Sequence, residues 1–298
     1  MRITHRAVTQ TALLGLNNNL SQVSKLQQQL TSGKLISAPS DSPTGTNKAL
    51  QIRQDQSGVQ QFAKNISDGQ SWLDATDTAL TTMITQVHGV KALTVNALND
   101  GAMSAQSRQA IAVELAGIRE SLLGLANSSI NDRALFGGVT QGSTAYAADG
   151  TYVGAPPVGE GITRRVSNAD RIRIDVTGQE AFGVPTPGDP DLFGLISKIA
   201  ADVTGDPDAL AGDLEKLDVA LDRLLGAAAS VGARSARMEA AGQVNTDLQL
   251  TLASQLVDVE DIDLAKTIME LNQTEVGYKA ALQATAQVIQ PTLVDFLR

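Results

Sequence analysis

The chain has 298 residues, with 23 Lys and Arg against 32 Asp and Glu, a formal charge of −9, and 3% aromatic content. No clustered basic run is present, which argues against a nucleic-acid partner, because binding phosphates needs concentrated Lys and Arg. Cysteine is absent, so disulfides, thiolate metal sites and Cys nucleophiles are excluded.

The opening stretch, MRITHRAVTQTALLGLNNN, has an apolar run from Ala12 to Leu16 that is too short for a secretory signal. No apolar run approaches the roughly 18 residues of a membrane span, so no membrane insertion is expected. A first helix is predicted over about Thr4 to Leu30. Leu13, Leu16, Leu20, Val23 and Leu30 fall on alternating steps of three and four, a heptad seam. The stretch SGKLISAPSDSPTGTNKAL then breaks the pattern. Gly33 offers a helix stop, Pro39 disfavours continued helix, and Asp41 or Ser42 caps a new helix with Pro43 in its first turn.

The second helix is expected from about Thr44 toward Leu98. Its seam is Ala49, Ile52, Val59, Ala63, Ile66, Leu73, Leu80, Ile84, Val87 and Thr94. Asn99-Asp100-Gly101 marks a turn. A third helix, about Ser104 to Ser128, carries Ile111, Leu115, Ile118, Leu122 and Leu125 on one stripe. From Leu135 to about Pro190 the texture turns to Gly, Pro, Thr and Val, with a hairpin-type Asp149-Gly150 and strict alternation over Arg171–Val176. This predicts a small β-rich insert. Helix returns at Asp191. Asp206-Pro207 then opens a long one with Asp206 as N-cap, its seam running from Leu210 through Leu224, Met238 and Asn245 to Leu256. Acidic residues from Asp258 to Asp263 break it. A final helix has Leu264, Ile268, Leu271, Tyr278, Leu282 and Ile289 in register, and Pro291 ends or kinks it.

The expected fold is mainly α: an elongated rod of long antiparallel helices and coiled coil with one small β-rich insert. Residues 1–43 with 258–298 would form a terminal helix pair that serves assembly. Residues 44–138 with 190–257 would form a long-helix bundle, and residues 139–189 an outer insert.

Chemistry is sparse. His5 and His88 stand far apart without a zinc-protease pattern, so no metal or catalytic site is expected, and no cofactor. Gly137-Gly138 and Gly159-x-Gly161 lack the context of a phosphate loop. Asp258, Glu260, Asp261 and Asp263 lack the spacing of a calcium loop and read as helix N-terminal charge. Trp72 flanks the seam as a packing residue. Arg164, Arg165, Arg171 and Arg173 are the one basic concentration, read either as solubilising strand-edge charge or as an outer-surface contact for an acidic partner.

The blocks Ser32-Gly33-Lys34 with Ala38-Pro39-Ser40-Asp41-Ser42-Pro43, Ala63-Lys64-Asn65-Ile66 with Trp72-Leu73 and Asp77-Thr78-Ala79-Leu80, and Leu264-Ala265 through Leu271, Tyr278 and Ala281-Leu282 to Leu293-Val294-Asp295-Phe296-Leu297 resemble the signature blocks of the flagellin superfamily, in order over nearly the whole chain. Within it, the Arg2-Ile3 start, Pro39-Ser40-Asp41 and Asn131-Asp132-Arg133-Ala134-Leu135-Phe136-Gly137-Gly138 are more similar to the hook–filament junction branch than to filament flagellins. That resemblance implies a structural, non-enzymatic subunit exported through the flagellar type III channel without a cleaved signal. It implies a ring of copies between a hook-proximal junction protein and flagellin, with the terminal helices as inner tube wall. It also implies an export chaperone at the C-terminal helix. Rival readings are a filament flagellin and a surface ligand-binding or adhesive protein that uses the Arg-bearing insert.

Overall fold

The structure, a computed structural model, describes residues 2–98, 104–140, 142–156, 159 and 161–289. The expected turn at Asn99-Asp100-Gly101 and the helix end at Pro291 lie outside the described residues. The elements are α1 (Arg2–Ser32), α2 (Pro43–Leu98), α3 (Ala105–Ala126), β1 (Ser129–Ile130), β2 (Arg133–Ala134), β3 (Thr163–Arg165), β4 (Arg171–Arg173), α4 (Gly178–Phe182), α5 (Leu192–Gly205), α6 (Leu210–Glu260) and α7 (Leu264–Ile289). The chain is mainly helical, and each of the two antiparallel sheets has two strands. At 1.5 Å per residue, the 51 residues of α6 are about 77 Å long.

Contacts divide the chain into two compact units, residues 59–247 and residues 1–58 with 248–298. Both α2 and α6 contribute to each.

In the 59–247 unit, α2 and α6 run antiparallel. The Lys91 ammonium pairs with Asp218, Gln70 donates to Ser235 Oγ at 2.7 Å, and Asn245 Nδ2 donates to the Val59 carbonyl at 3.0 Å. The apolar spacing explains the pairing. Val59, Ile66, Leu73, Leu80 and Val87 on α2 are buried, as are Leu217, Leu224, Val231 and Met238 on α6. Helix α3 adds Ile111, Leu115 and Leu122 to that core and packs along α5. Ser104 caps α3, its side chain accepting from the Ser107 amide, and Asp191 caps α5 by accepting from Gly194. Asp206 makes no such bond. Pro207 opens a short 3-10 turn, Pro207–Ala209, and α6 proper starts at Leu210. The expected cap at Asp206 is therefore replaced by a tighter turn that uses the proline's missing donor.

The β-bearing segment shares this core. Its centre is an aromatic cluster in which Phe182 lies 5.0 Å from Phe136, 5.7 Å from Tyr146 and 5.4 Å from Phe193 between ring centroids. Burial pushes the Tyr146 phenol well above its ordinary range and the Tyr152 phenol up to about 12. Low aromatic content thus hides a concentration: few aromatic rings exist, and several meet here. The β1–β2 hairpin turns through Asn131 and Asp132, both at positive φ (51° and 60°), the backbone of a two-residue type I′ turn. Thr177 and Glu180 form a reciprocal capping box at the start of α4. Strand β4 ends at Arg173, and the expected alternation of burial fails at Asp175, which is buried and accepts from the Ile162 amide and from Arg173.

The other unit has a much smaller core: Val23 on α1, Ala49 and Ile52 on α2, and Leu252 on α6. Helices α1 and α7 pack along one another. The Lys34–Asp261 bridge sets the end of α1 beside the start of α7, so the pair is antiparallel.

Candidate assembly surface

The terminal helices are joined to the long ones by two short segments that bond to each other. Helix α1 stops at Gly33, whose φ of 69° and amide bond to the Gln29 carbonyl (2.8 Å) make the left-handed cap that glycine adopts at least cost. The Leu35 amide then donates to the Glu260 carbonyl at 2.6 Å, and the Ile262 amide to the Gly33 carbonyl at 3.2 Å. Gln29, buried, donates to the Leu35 carbonyl. Pro39 takes the second position of a turn closed by the Asp41 amide on the Ala38 carbonyl. Asp41 does not cap α2. Its carboxylate accepts from the Ser37 amide, the Ser37 hydroxyl and the Ala38 amide, and pairs with Lys25 at 3.0 Å. The Lys25 ammonium, first, and those hydrogen bonds hold the Asp41 carboxyl well below the usual carboxylate range. Ser42 is the cap, accepting from Gly45 at 3.1 Å with Pro43 at the first helical position.

On the returning strand, Asp263 caps α7 by accepting from the Lys266 amide. The expectation of helix N-terminal charge fits Asp263 but not Glu260. That residue ends α6, is buried, and is gripped by Arg53 at 2.8 Å and Lys34 at 3.8 Å. The alternation of steps points to Val259 instead; Glu260 lies four residues beyond Leu256, itself four beyond Leu252, so the buried carboxylate sits one place off the expected seam and needs a partner.

The packed stripe between α1 and α7 departs from the expected one. On α1 the covered or half-covered residues include Ala12, Leu16, Asn19, Val23, Leu26, Gln29 and Leu30; on α7 they include Thr267, Leu271, Thr274, Tyr278, Ala281 and Thr285. Leu16, Val23, Leu30, Leu271 and Tyr278 therefore lie on it. Leu13 (52% exposed), Leu20 (49%), Leu264 (58%), Ile268 (43%) and Leu282 (43%) do not. The packed and expected stripes share Leu16, Val23, Leu30, Leu271 and Tyr278 and diverge between them, where Ala12, Asn19, Thr267 and Ala281 are the more covered residues and Leu13, Leu20, Ile268 and Leu282 the exposed ones. Leu13, Leu20, Ile268 and Leu282, with Met269 and Val276, form an uncovered flank.

The arginines of the β-bearing segment are not equivalent. Register places Arg165 opposite Arg171 and Thr163 opposite Arg173 on one face of the β3–β4 ribbon, and Arg164 opposite Ile172 on the other. Arg164 pairs with Asp68 on α2 at 2.6 Å. Arg173 is clamped by Asp175 and Glu180, which raise its pKa further. Arg165 donates to the Ser167 and Asn168 carbonyls above the Phe62 ring. Trp72 is buried in the core. Among the described residues no His, Cys, Asp and Glu cluster has metal-binding geometry, and no helix is long and apolar enough to cross a membrane.

Two long paired helices, a terminal antiparallel pair with an uncovered apolar flank, and a β-bearing segment inserted between helical halves define a mainly helical protein that leaves an apolar face open. The bacterial flagellin N-terminal helical region matches residues 3–141 and the C-terminal helical region matches residues 214–297. The chain belongs to the flagellin family, whose members are structural components of the bacterial flagellum. It is 26% identical over 307 residues to flagellar hook-associated protein 3 of Escherichia coli K12, covering 94% of this chain and 96% of that one. It is 25% identical over 300 residues to flagellin of Bacillus subtilis 168, covering 97% of both. The crystal structure of Bacillus cereus FlgL superposes with a TM-score of 0.60 at 23% identity, covering 70% of this chain and 99% of that one, and shares its fold.

Proposed function

We propose that this chain joins the flagellar hook to the filament as a non-enzymatic structural subunit, assembling as a ring through its terminal helices. The observation that carries the reading is the uncovered apolar flank on both terminal helices: Leu13 and Leu20 on α1, and Ile268, Met269, Val276 and Leu282 on α7. A lone antiparallel pair with so small a core is marginal in water, and neighbouring copies would bury what the pair leaves open. On this reading the subunit is exported to the cell exterior unfolded, without a cleaved signal. An export chaperone covers α7 before passage. The hook-proximal junction protein lies on one side of the ring and flagellin on the other. The absence of cysteine suits passage through a narrow channel, since no disulfide can form on the way.

Removing the gene tests it: cells should keep hooks and shed unpolymerised flagellin into the medium. Hooks that still carry filaments would overturn the junction role. The second reading is a filament flagellin, which the full-length similarity to the Bacillus subtilis protein supports. Under that reading the same deletion leaves no flagellin to shed.

A further inference from the structure

We propose that the β3–β4 ribbon and α6 together form a binding site for a sulfated or carboxylated saccharide. The site is an open depression of about 620 Å³ lined by Thr163, Arg165, Asn168, Arg171, Arg173 and Arg237, with Ala169 as its one apolar contributor. Its arginines reach it from two places. The antiparallel register sets Arg165 directly opposite Arg171, with Arg173 two residues on along the same face. Arg237 comes from α6.

Like charges facing each other across a strand pair destabilise a ribbon. The chain tolerates this in a molecule whose formal charge is −9. Internal acids account for only part of it. Asp175 and Glu180 neutralise Arg173. Asp170 touches Arg237 at 3.5 Å, with both side chains more than half exposed, a weak pairing that an anion can displace. Among the described residues no hydrogen bond or ion pair engages the Arg171 guanidinium, although its backbone belongs to the β3–β4 ladder. Arg165 is held in place by the Ser167 and Asn168 carbonyls and by the Phe62 ring, a pre-ordered guanidinium at low entropic cost. The remaining positive charge of Arg165, Arg171 and Arg237 is therefore offered outward on a concave surface.

The lining decides the class of occupant. A docking site for a protein needs aromatic or aliphatic anchors at its centre, and this depression has none. Stacking platforms for nucleic-acid bases are absent from the lining too. What it offers is guanidinium forks for sulfate or carboxylate groups, with the Thr163 hydroxyl and the Asn168 amide for sugar hydroxyls. Its volume suits a small ligand or a few sugar units of a longer polymer.

The test uses the purified full-length protein and a fluorescently labelled heparin hexasaccharide, read by anisotropy at low salt and again at about 0.3 M salt, where exposed charges are screened. Maltohexaose, a polyglutamate peptide of similar charge and inorganic sulfate serve as competitors. The expected result is saturable binding that weakens with salt, competed poorly by all three. The double variant Arg171→Glu, Arg237→Glu should lose at least tenfold in affinity with its helical circular dichroism unchanged. Arg171→Gln alone should lose a smaller factor. The control Lys266→Glu, Lys279→Glu, with the same charge change on α7, should bind as the parent does. No binding by the parent, or an equal loss in the α7 control, would overturn the site. Polyglutamate competing as well as the hexasaccharide would overturn the saccharide and point to an acidic protein surface.

Discussion

Leu20→Asp separates the two stripes of α1. Leu20 is 49% exposed and off the packed stripe, whereas Val23, three residues on, is 9% exposed and on it. In the free subunit the Leu20 change touches a solvated site, so its cost is helix propensity plus a little lost packing, about 1 kcal/mol or less. In an assembled ring the same site would be covered. Fully burying a Leu is worth about 1.5–3 kcal/mol. With half still exposed, roughly 0.7–1.5 kcal/mol of that would come from neighbouring copies. A carboxylate placed there also loses solvation with no partner, several kcal/mol more. A deficit of about 3 kcal/mol or above lowers incorporation more than a hundredfold. Val23→Asp, by contrast, should damage the free subunit itself. The assays are far-UV circular dichroism and thermal melting of the purified protein, then motility and filament counts in cells carrying each variant. Wild-type swimming by the Leu20→Asp strain would refute the uncovered flank as an assembly surface. So would a helical loss in the free subunit as large as that of Val23→Asp.

Phe182→Ala should remove the centre of the aromatic cluster and cost about 3–5 kcal/mol, seen as a fall of about ten degrees or more in the melting of the 59–247 unit. Asn245→Ala should cost about 1–2 kcal/mol in the same melt, because a buried amide bonded to the Val59 carbonyl is lost. Asp41 has its pKa lowered on folding, so its stabilising effect is fully present above the unfolded value near 4 and is lost as pH falls below it. The Ser37 and Ala38 amides should keep their exchange protection from pH 7 down to about 4, and Asp41→Ala should remove it at pH 7. Amide exchange on the isolated subunit should find 105–125 and 208–235 protected and both terminal helices fast. Uniform protection would contradict folding coupled to assembly.

Much of this architecture is legible in the chain. In α2, α3 and α6 only one stripe is strongly apolar, so the 3/4 spacing picks the buried face correctly, down to Thr94 and Asn245. The punctuation is equally local: Gly33, Ser42-Pro43 and Asp191 act through their own backbone geometry. The hairpin at Asn131-Asp132 and the capping box at Thr177 and Glu180 were also written locally, as a turn dipeptide and a T-x-x-E pattern. The capping box lies inside the stretch expected as a β-rich insert, whereas Asn131-Asp132 lies just before it, in residues expected to belong to the helical bundle.

What the chain determines by itself is periodicity and its interruptions, because helix geometry and capping depend on neighbours a few residues away. It does not determine phase when two stripes compete. On α1 and α7 the larger apolar residues predict one inward face, and the packing of the folded pair turns a neighbouring one inward, with Ala12, Asn19, Thr267 and Ala281 inside and Leu20 and Leu282 outside. That choice depends on the partner helix, which lies more than 230 positions away. The same holds for the clamp of Lys34 and Arg53 on Glu260, and for Arg237 joining Arg165 and Arg171. Tertiary structure decides which charges meet, and so which sites exist, because those distances are set by packing between remote segments and leave no local pattern to read.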